Sequence, residues 1–509
     1  MGRENDEAET GLDKDKLKEI RKITLRSNIL IAMLVLAIAV FIGGASVAAI
    51  LIARGENRSD SGLSQTGSIR INTEINRLQI KLDGEFISKA NDDLIPNLEP
   101  GTYELEVTSP NYSIWQKSVE VRRGLVTDVF PQLIPEEITP EIFSSLPVSQ
   151  TTFDYKGEYM YYVVSEAARG RDNGIWRQRI SESSGFDFFG RNEPVKLANI
   201  GNEIASSLDE GNLRLLPSPD NSRLLLQLGE RYHLLDATRT NDMSEKEPLS
   251  LSINVPFDSL SWGVDDENLI VVNQNILSSY NINEDTLSLI GISEPGTDPV
   301  YAVSETIIYY YNANLDQLEA FSENGSVLVE FVNGEINLPI SALHTSREDN
   351  NLLYYKSEAQ FYFADLDSSY QIELEEMVSL EQVSNTGLGA LGKDKNGNFI
   401  VIRMSELPAL RTYNKQINLI DLPQPEDVVR QIRFSSLGRH LLIKDELGSL
   451  YIADRNGENL RIIDETEGVI NGSFATNESD LRIFAVINGN ALQDDVTQNL
   501  IYEIPLRDQ

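Results

Sequence analysis

The chain has 509 residues, is 41% hydrophobic and 24% charged, and sets 43 Lys and Arg against 79 Asp and Glu, a formal net charge of −36. Such a field repels nucleic acid and anionic lipid, which argues against a DNA- or RNA-binding role and favours basic partners. With no cysteine, the chain forms no disulfide, thiolate metal site or cysteine nucleophile, so apolar cores must hold it together.

Residues 1–27 are polar, with seven basic and seven acidic side chains, and read as a short cytoplasmic tail; the acidic excess belongs to the remainder. Residues 28–53, NILIAMLVLAIAVFIGGASVAAILIA, carry no charge from Ile29 to Ala53. At about 1.5 Å of rise per residue this segment spans roughly 37 Å as a helix, more than the roughly 30 Å bilayer core. It is too long for the apolar region of a cleaved signal, so a single-pass membrane anchor is expected. Lys14, Lys16, Lys18, Arg21, Lys22 and Arg26 precede it, against Arg54, Arg58 and Arg70 after it. The N-terminus is therefore expected inside, with residues 54–509 outside the cytoplasm. Gly44 with Ala48, and Ala45 with Ala49, give a small-xxx-small spacing through which two such helices would pack as a homodimer.

Residues 54–66, RGENRSDSGLSQT, read as a flexible linker rich in Gly, Ser and charge. From 67 to 136 the pattern changes to short alternating strands with Gly and Pro turns. Asp83-Gly84 supplies the positive φ angles of a two-residue hairpin, and Pro100-Gly101 fits a type II turn. Tyr112 and Trp115 read as caps on a small sandwich core, with an exposed binding pair as the alternative. Ile80, Leu82, Asp83 and Gly84, then Leu98, Pro100, Gly101, Tyr103, Leu105 and Val107, then Tyr112, Trp115, Val119, Val121, Gly124, Leu133 and Pro135 together resemble the PEGA domain. Asn76-Arg77-Leu78 stands where that family has its Pro-Gly-Ala type turn. The resemblance implies a small β-sandwich and a cell-envelope or surface setting, without fixing a ligand.

Residues 137–509 repeat a unit of an apolar residue, a polar turn and an apolar strand: Phe153-DYKGEY-Met160, Leu216-PSPDNSR-Leu224, Trp262-GVDDEN-Leu269, His344-TSREDNN-Leu352, Leu391-GKDKNGN-Phe399, Phe434-SSLGRH-Leu441 and Phe474-ATNESD-Leu481, with a short copy at Val303 to Ile307. From Leu224 the strand starts are 45, 38, 45, 47, 42 and 40 residues apart. All-β repeats of that length predict a β-propeller, of eight blades by length, with seven as the rival. Asn-Gly pairs such as Asn173-Gly174 and Asn396-Gly397 read as hairpin turns. SESSGFDFFGRNE reads as an inserted loop in the long first interval. The last copy is one strand short, so Ile138 to Leu146 is expected to complete its blade. LPSPDNSRLLLQL and IRFSSLGRHLLI resemble the repeats of WD40-like and TolB-like propellers, with Ser218, Pro219 and Asp220 keeping the usual turn wording.

The fold class is thus mainly β: one transmembrane helix, a PEGA-like sandwich and a seven- or eight-bladed propeller. No catalytic, cofactor or metal residue is assigned. His233, His344 and His440 read as structural, and no nucleophile elbow, phosphate loop or dinucleotide fingerprint is present. Asp394, Asn396 and Asn398, and Asp265, Asp266 and Glu267, offer oxygen donors as calcium loops do, but sit where turns want Asp and Asn. The tyrosine-rich strands near Tyr161, Tyr309, Tyr354 and Tyr362 read as core, with a sugar-binding face as the alternative. The expected function is non-enzymatic binding of a protein, peptide or glycan at the cell envelope. The alternatives are a polysaccharide hydrolase or lyase using acids at the propeller mouth, and an envelope assembly factor resembling TolB-like propellers.

Overall fold

The computed structural model describes residues 56–506 except 60–61, 74, 76, 88–93, 168, 182–192, 244–256, 323–326, 332–335, 368–369, 405–415, 419–428, 455–456, 465–468, 478, 480–481 and 489–497. The span read at 28–53, the tail at 1–27 and the central part of the expected inserted loop lie outside the described residues. Among the described residues no helix is long and apolar enough to cross a membrane. The chain divides into two compact units.

In the first unit, Gly67–Ile71 lies between Leu94–Leu98 and Val126–Val129, while Gln79–Leu82 lies between Glu85–Phe86 and Gly101–Thr108, with Trp115–Val121 beyond; Thr108 and Trp115, at the ends of the last two strands, fall with the loop between them in the second unit. Alternation along these strands buries Ile69, Ile71, Ile80, Ile95, Leu105, Val107, Val119, Val121 and Val129, which gives both sheets an apolar inner face. Asp83 and Gly84 take φ of 50° and 82° between Leu82 and Glu85, the hairpin the sequence predicts. The Pro100-Gly101 expectation is corrected. Gly101 opens the strand Gly101–Thr108, and the left-handed residue is Asn97, φ 62°, beside a register shift between Gly67 and Ile69 that absorbs the extra length. Within the stretch read as a linker, Glu56–Ser59 pairs with Gly62–Gln65 as an antiparallel hairpin; backbone pairing between short polar strands needs no apolar alternation.

The second unit contains eight sheets among the described residues, all antiparallel and all but one ordered as in the sequence. Their second strands are Tyr159–Val164, Arg223–Leu228, Asn268–Asn273, Ile308–Asn312, Leu352–Ser357, Gly389–Lys393, His440–Asp445 and Arg482–Asn488, here blades 1 to 8. Blade 8 takes its outer strand from the other end of the unit: Glu141–Ser144 pairs with Asn499–Pro505, Ile142 opposite Tyr502. The sequence-based expectation for Ile138 to Leu146 agrees with that pairing.

Among the described residues, apolar clusters join the blades pairwise and close the ring. Blades 1 and 2 share Tyr161 and Leu224, 2 and 3 Leu225 and Leu269, 3 and 4 Ile270 and Tyr310, and 4 and 5 Tyr309 and Tyr355. Blades 5 and 6 share Tyr354 and Ala390, 6 and 7 Leu391 and Leu441, 7 and 8 Leu442 and Ile483, and 8 and 1 Phe484 and Tyr162. Adjacent residues of one strand serve opposite interfaces, so second strands are buried on both faces and read as continuous apolar runs. The tyrosine-rich strands are therefore core.

Several of these tyrosines reach into the next blade. Tyr161 donates to Asn221 Oδ1 at 3.2 Å, Tyr309 to the carbonyl of Asn350 at 2.6 Å, and Tyr354 to the carbonyl of Gly387 at 2.9 Å. Tyr354→Phe removes the donor from this buried pair and is expected to cost about 1–2 kcal/mol, measured by urea unfolding of the full chain.

Two further readings are corrected. In blade 6 the turn Leu391-GKDKNGN-Phe399 joins the second strand to the third, Gly389–Lys393 to Phe399–Arg403. The copy matching the other blades is instead the turn between Ser379–Val383 and Gly389. Ser384 to Leu388 carries only Asn385 and Gly387 as turn residues, whereas Asp394 to Asn398 carries Asp, two Asn and Gly, so the second turn is the one the motif selects. Asn173 has φ −64° and follows a 3-10 turn, so Asn173-Gly174 is not a hairpin. A helix at Asn202–Asp209, absent from the sequence reading, lies between blades 1 and 2, where Ile204 and Leu208, four residues apart, join their apolar cluster.

Candidate functional site

First strands of neighbouring blades approach one another, Gln150–Phe153 with Leu213–Pro217 and with Val469–Thr476, and Tyr301–Val303 with Ile340–Thr345. They therefore surround the ring axis, and the turns that follow them share one mouth of the channel.

A buried residue opens each of these turns. Ser218, Ser304, Ser346, Ser384 and Ser435 are at most 3% exposed, and their Oγ atoms accept the N–H of Arg223 at 3.0 Å, Ile307 at 3.1 Å, Asp349 at 2.8 Å, Gly389 at 2.9 Å and His440 at 3.1 Å. A hydroxyl does locally what a backbone carbonyl would do in a tighter turn. In blade 1 Asp154 takes this place: one oxygen accepts the N–H of Glu158 at 2.9 Å and of Tyr159 at 2.8 Å, and the other accepts Asn221 Nδ2 from blade 2 at 3.0 Å. Burial raises the Asp154 carboxyl above its ordinary value despite these donors. Asn477 opens the turn of blade 8, its Oδ1 accepting the N–H of Arg482 at 3.0 Å.

In five of these turns the residue after the opener reaches other blades. Tyr155 of blade 1 donates its hydroxyl to Glu305 Oε1 of blade 4 at 2.8 Å, and Lys156 Nζ lies 3.7 Å from the same oxygen. Asn385 of blade 6 donates Nδ2 to the carbonyl of Tyr155 and, at 2.9 Å, to that of Ser436 in blade 7. The Arg347 guanidinium of blade 5 lies 5.9 Å from the Tyr155 ring centre and donates to the carbonyl of Gly263 in blade 3 at 3.3 Å. Glu305 N–H donates to Arg347 at 3.1 Å and Glu348 N–H to Asn385 at 3.1 Å. Ser436 Oγ donates to the carbonyl of Thr476 in blade 8 at 2.9 Å. With Asn221 of blade 2 on Asp154, one network touches all eight blades.

The charges nearly balance, Lys156 and Arg347 against Glu305 and Glu348. Burial holds the Arg347 guanidinium below its ordinary value, while Tyr155 and Glu305 pull it back up. Glu348 is held above the usual carboxylate range, first by desolvation and then by Glu305. Burial, with Glu305 as acceptor, pushes the Tyr155 phenol up to about 12, against Lys156; Tyr162 and Tyr280 are likewise pushed up to about 12, chiefly by burial. The folded value lies above the unfolded 10.0, so stabilisation from keeping these phenols neutral is complete below pH 10 and is lost as pH rises through about 12. An ultraviolet titration of the native protein is expected to leave them protonated past pH 10, and in urea to show all phenols ionising together near 10.

The residues singled out from sequence lie elsewhere. His233 is in the third strand of blade 2, His344 in the first strand of blade 5 and His440 at the start of the second strand of blade 7, so they occupy three different positions in the repeat. Burial lowers the His344 pKa. Asp394 is bound by the N–H groups of Asn396 at 2.8 Å and Asn398 at 2.9 Å, and Asp265 by those of Glu267 at 3.0 Å and Asn268 at 2.8 Å. Both carboxylates act as turn formers, and among the described residues no group of metal-binding side chains occurs. Trp115 is 1% exposed and falls in the second unit with the Thr108–Trp115 loop, where its Nε1 donates to both carboxylate oxygens of Asp454 at 3.1 Å. Its burial rules out the exposed binding pair. Tyr155, Glu305, Arg347 and Asn385 escaped the sequence reading, although each directly follows the residue that opens its turn.

The PEGA domain model matches residues 66–137, and no curated relative matches the chain. Among solved structures the chain is similar to the C-terminal WD40 domain of Sif2, at 12% identity and TM-score 0.42 over 72% of this chain and 99% of that one. It is also similar to the WD40 domain of SCAP from fission yeast, at 10% identity and TM-score 0.41 over 73% and 98%, and to the Cps50 (Swd1) β-propeller domain of Myceliophteria thermophila, at 10% and 0.34 over 73% and 100%. The chain thus joins a PEGA domain at residues 66–137 to a β-propeller whose eight sheets close on a strand from its own beginning.

Proposed function

We infer from the PEGA domain and the β-propeller a protein-binding or structural role. We propose that the protein is a single-pass, outward-facing component of the cell envelope that binds a protein, peptide or glycan through its propeller and catalyses no reaction. The uncharged run from Ile29 to Ala53, followed by the PEGA match at 66–137, carries the envelope assignment. What favours binding over polysaccharide cleavage is the engagement of Glu305: its carboxylate accepts the Tyr155 hydroxyl and faces Lys156. A carboxylate so engaged is held by its own partners, whereas glycoside hydrolysis needs two carboxyls free to face one bond. Protease added to intact cells is expected to digest residues beyond 54, and the full-length protein in detergent is expected to retain a component of purified wall or membrane extract without shortening any polysaccharide. Protection of the bulk of the chain, or release of sugar fragments, would overturn the reading.

A further inference from the structure

In a ring of eight blades, packing alone joins each blade to its two neighbours. The turn Asp154–Glu158 does more. Its Tyr155 is bound to Glu305 of blade 4 in one direction and to Asn385 of blade 6 in the other, each three blades away around the ring. A turn rooted in blade 1 reaches both only by crossing the axis. Arg347 of blade 5, the blade directly opposite, lies over the Tyr155 ring, and Gly157 rests against Ser436 and Thr476 of blades 7 and 8.

We infer that the Asp154–Glu158 turn is a cross-axis latch: it closes this mouth of the channel and couples blade 1 directly to the far side of the ring. Its release frees the turns of blades 4, 5 and 6 together, although they are remote from it in sequence.

The test is hydrogen exchange, read by mass spectrometry, on the full-length protein and its Tyr155→Ala variant. Amides in the turns 346–351 and 384–389 are expected to exchange about tenfold faster in the variant, because local opening tracks the loss of the contacts that hold a segment closed. The second turn of blade 6, which Asp394 holds through the N–H groups of Asn396 and Asn398, is expected to keep its rate. Faster exchange confined to 154–158 would overturn the latch. Should Tyr155→Ala fail to fold, Tyr155→Phe, which loses only the bond to Glu305, and Asn385→Ala, which loses the bonds to Tyr155 and Ser436, are compared in the same way. An unchanged rate at 346–351 in both overturns the inference.

Discussion

Phe484→Ala is expected to destabilise the propeller by about 3–5 kcal/mol, the range for truncating a large buried aromatic. Phe484 is 1% exposed and belongs to the second strand of blade 8. It shares a cluster with Met160, Tyr162 and Val164 of blade 1 and Ile501 of blade 8, and its ring stands edge-on to Phe143, centroids 4.8 Å apart at 71°. Phe143 lies in the strand Glu141–Ser144, which comes from the other end of the unit. One side chain therefore fastens both the blade 8 to blade 1 interface and the strand that completes blade 8. An edge-to-face pair adds about 0.5–1.5 kcal/mol to the burial it accompanies, so Phe143→Ala, at a partly buried position, is expected to cost less. Urea unfolding of the full chain followed by tryptophan fluorescence checks both. A loss below about 1 kcal/mol for Phe484→Ala would mean that the ring closes through its backbone ladder alone.

Ring closure was legible because the last repeat, with Val469–Thr476, Arg482–Asn488 and Asn499–Pro505, is one strand short of a blade, and the strand-forming stretch ahead of the first repeat is there to complete it. The cores were legible for a similar reason. Runs such as Tyr159–Val164 and Leu352–Tyr355 are aromatic or aliphatic at every position, as strands covered on both faces are. Blade 6 was placed one strand out because its second turn, Asp394 to Asn398, has the stronger turn chemistry, while Ser384 to Leu388 contains no Asp or Pro to announce it. The axial network was illegible for a deeper reason. Tyr155, Glu305, Arg347 and Asn385 have no common chemistry and lie up to 230 residues apart; what unites them is their place after the turn-opening residue, and their meeting exists only once the ring is closed. A search for nucleophiles, metal ligands or acid pairs would not select such a set. An alignment of the repeats on the buried serines would have brought the positions into one column.

Gly157→Val is expected to be the most damaging single change in the blade 1 turn, at about 2–6 kcal/mol. Two independent costs combine there. Gly157 has φ +72°, and its added Cβ would overlap Ser436 Oγ and lie 2.8 Å from the carbonyl oxygen of Thr476 and 2.9 Å from the carbonyl carbon of Asn477. A β-branched residue in the left-handed region costs about 1–3 kcal/mol, and forcing it against backbone that cannot yield costs about 1–3 kcal/mol more. The two are separable. Gly296 has φ +84° with nothing within 4 Å of an added Cβ, so Gly296→Ala carries the backbone cost alone, while Gly157→Ala carries both. Asn221, at the matching place in blade 2, holds φ 62° with a side chain suited to that region, which shows that the turn itself accepts a Cβ where the neighbouring blade leaves room. The difference between the two alanine variants in urea unfolding therefore reads how tightly blades 7 and 8 close on blade 1. Equal losses would mean that the contact with Ser436 and Thr476 relaxes freely and that only the backbone angle matters at Gly157.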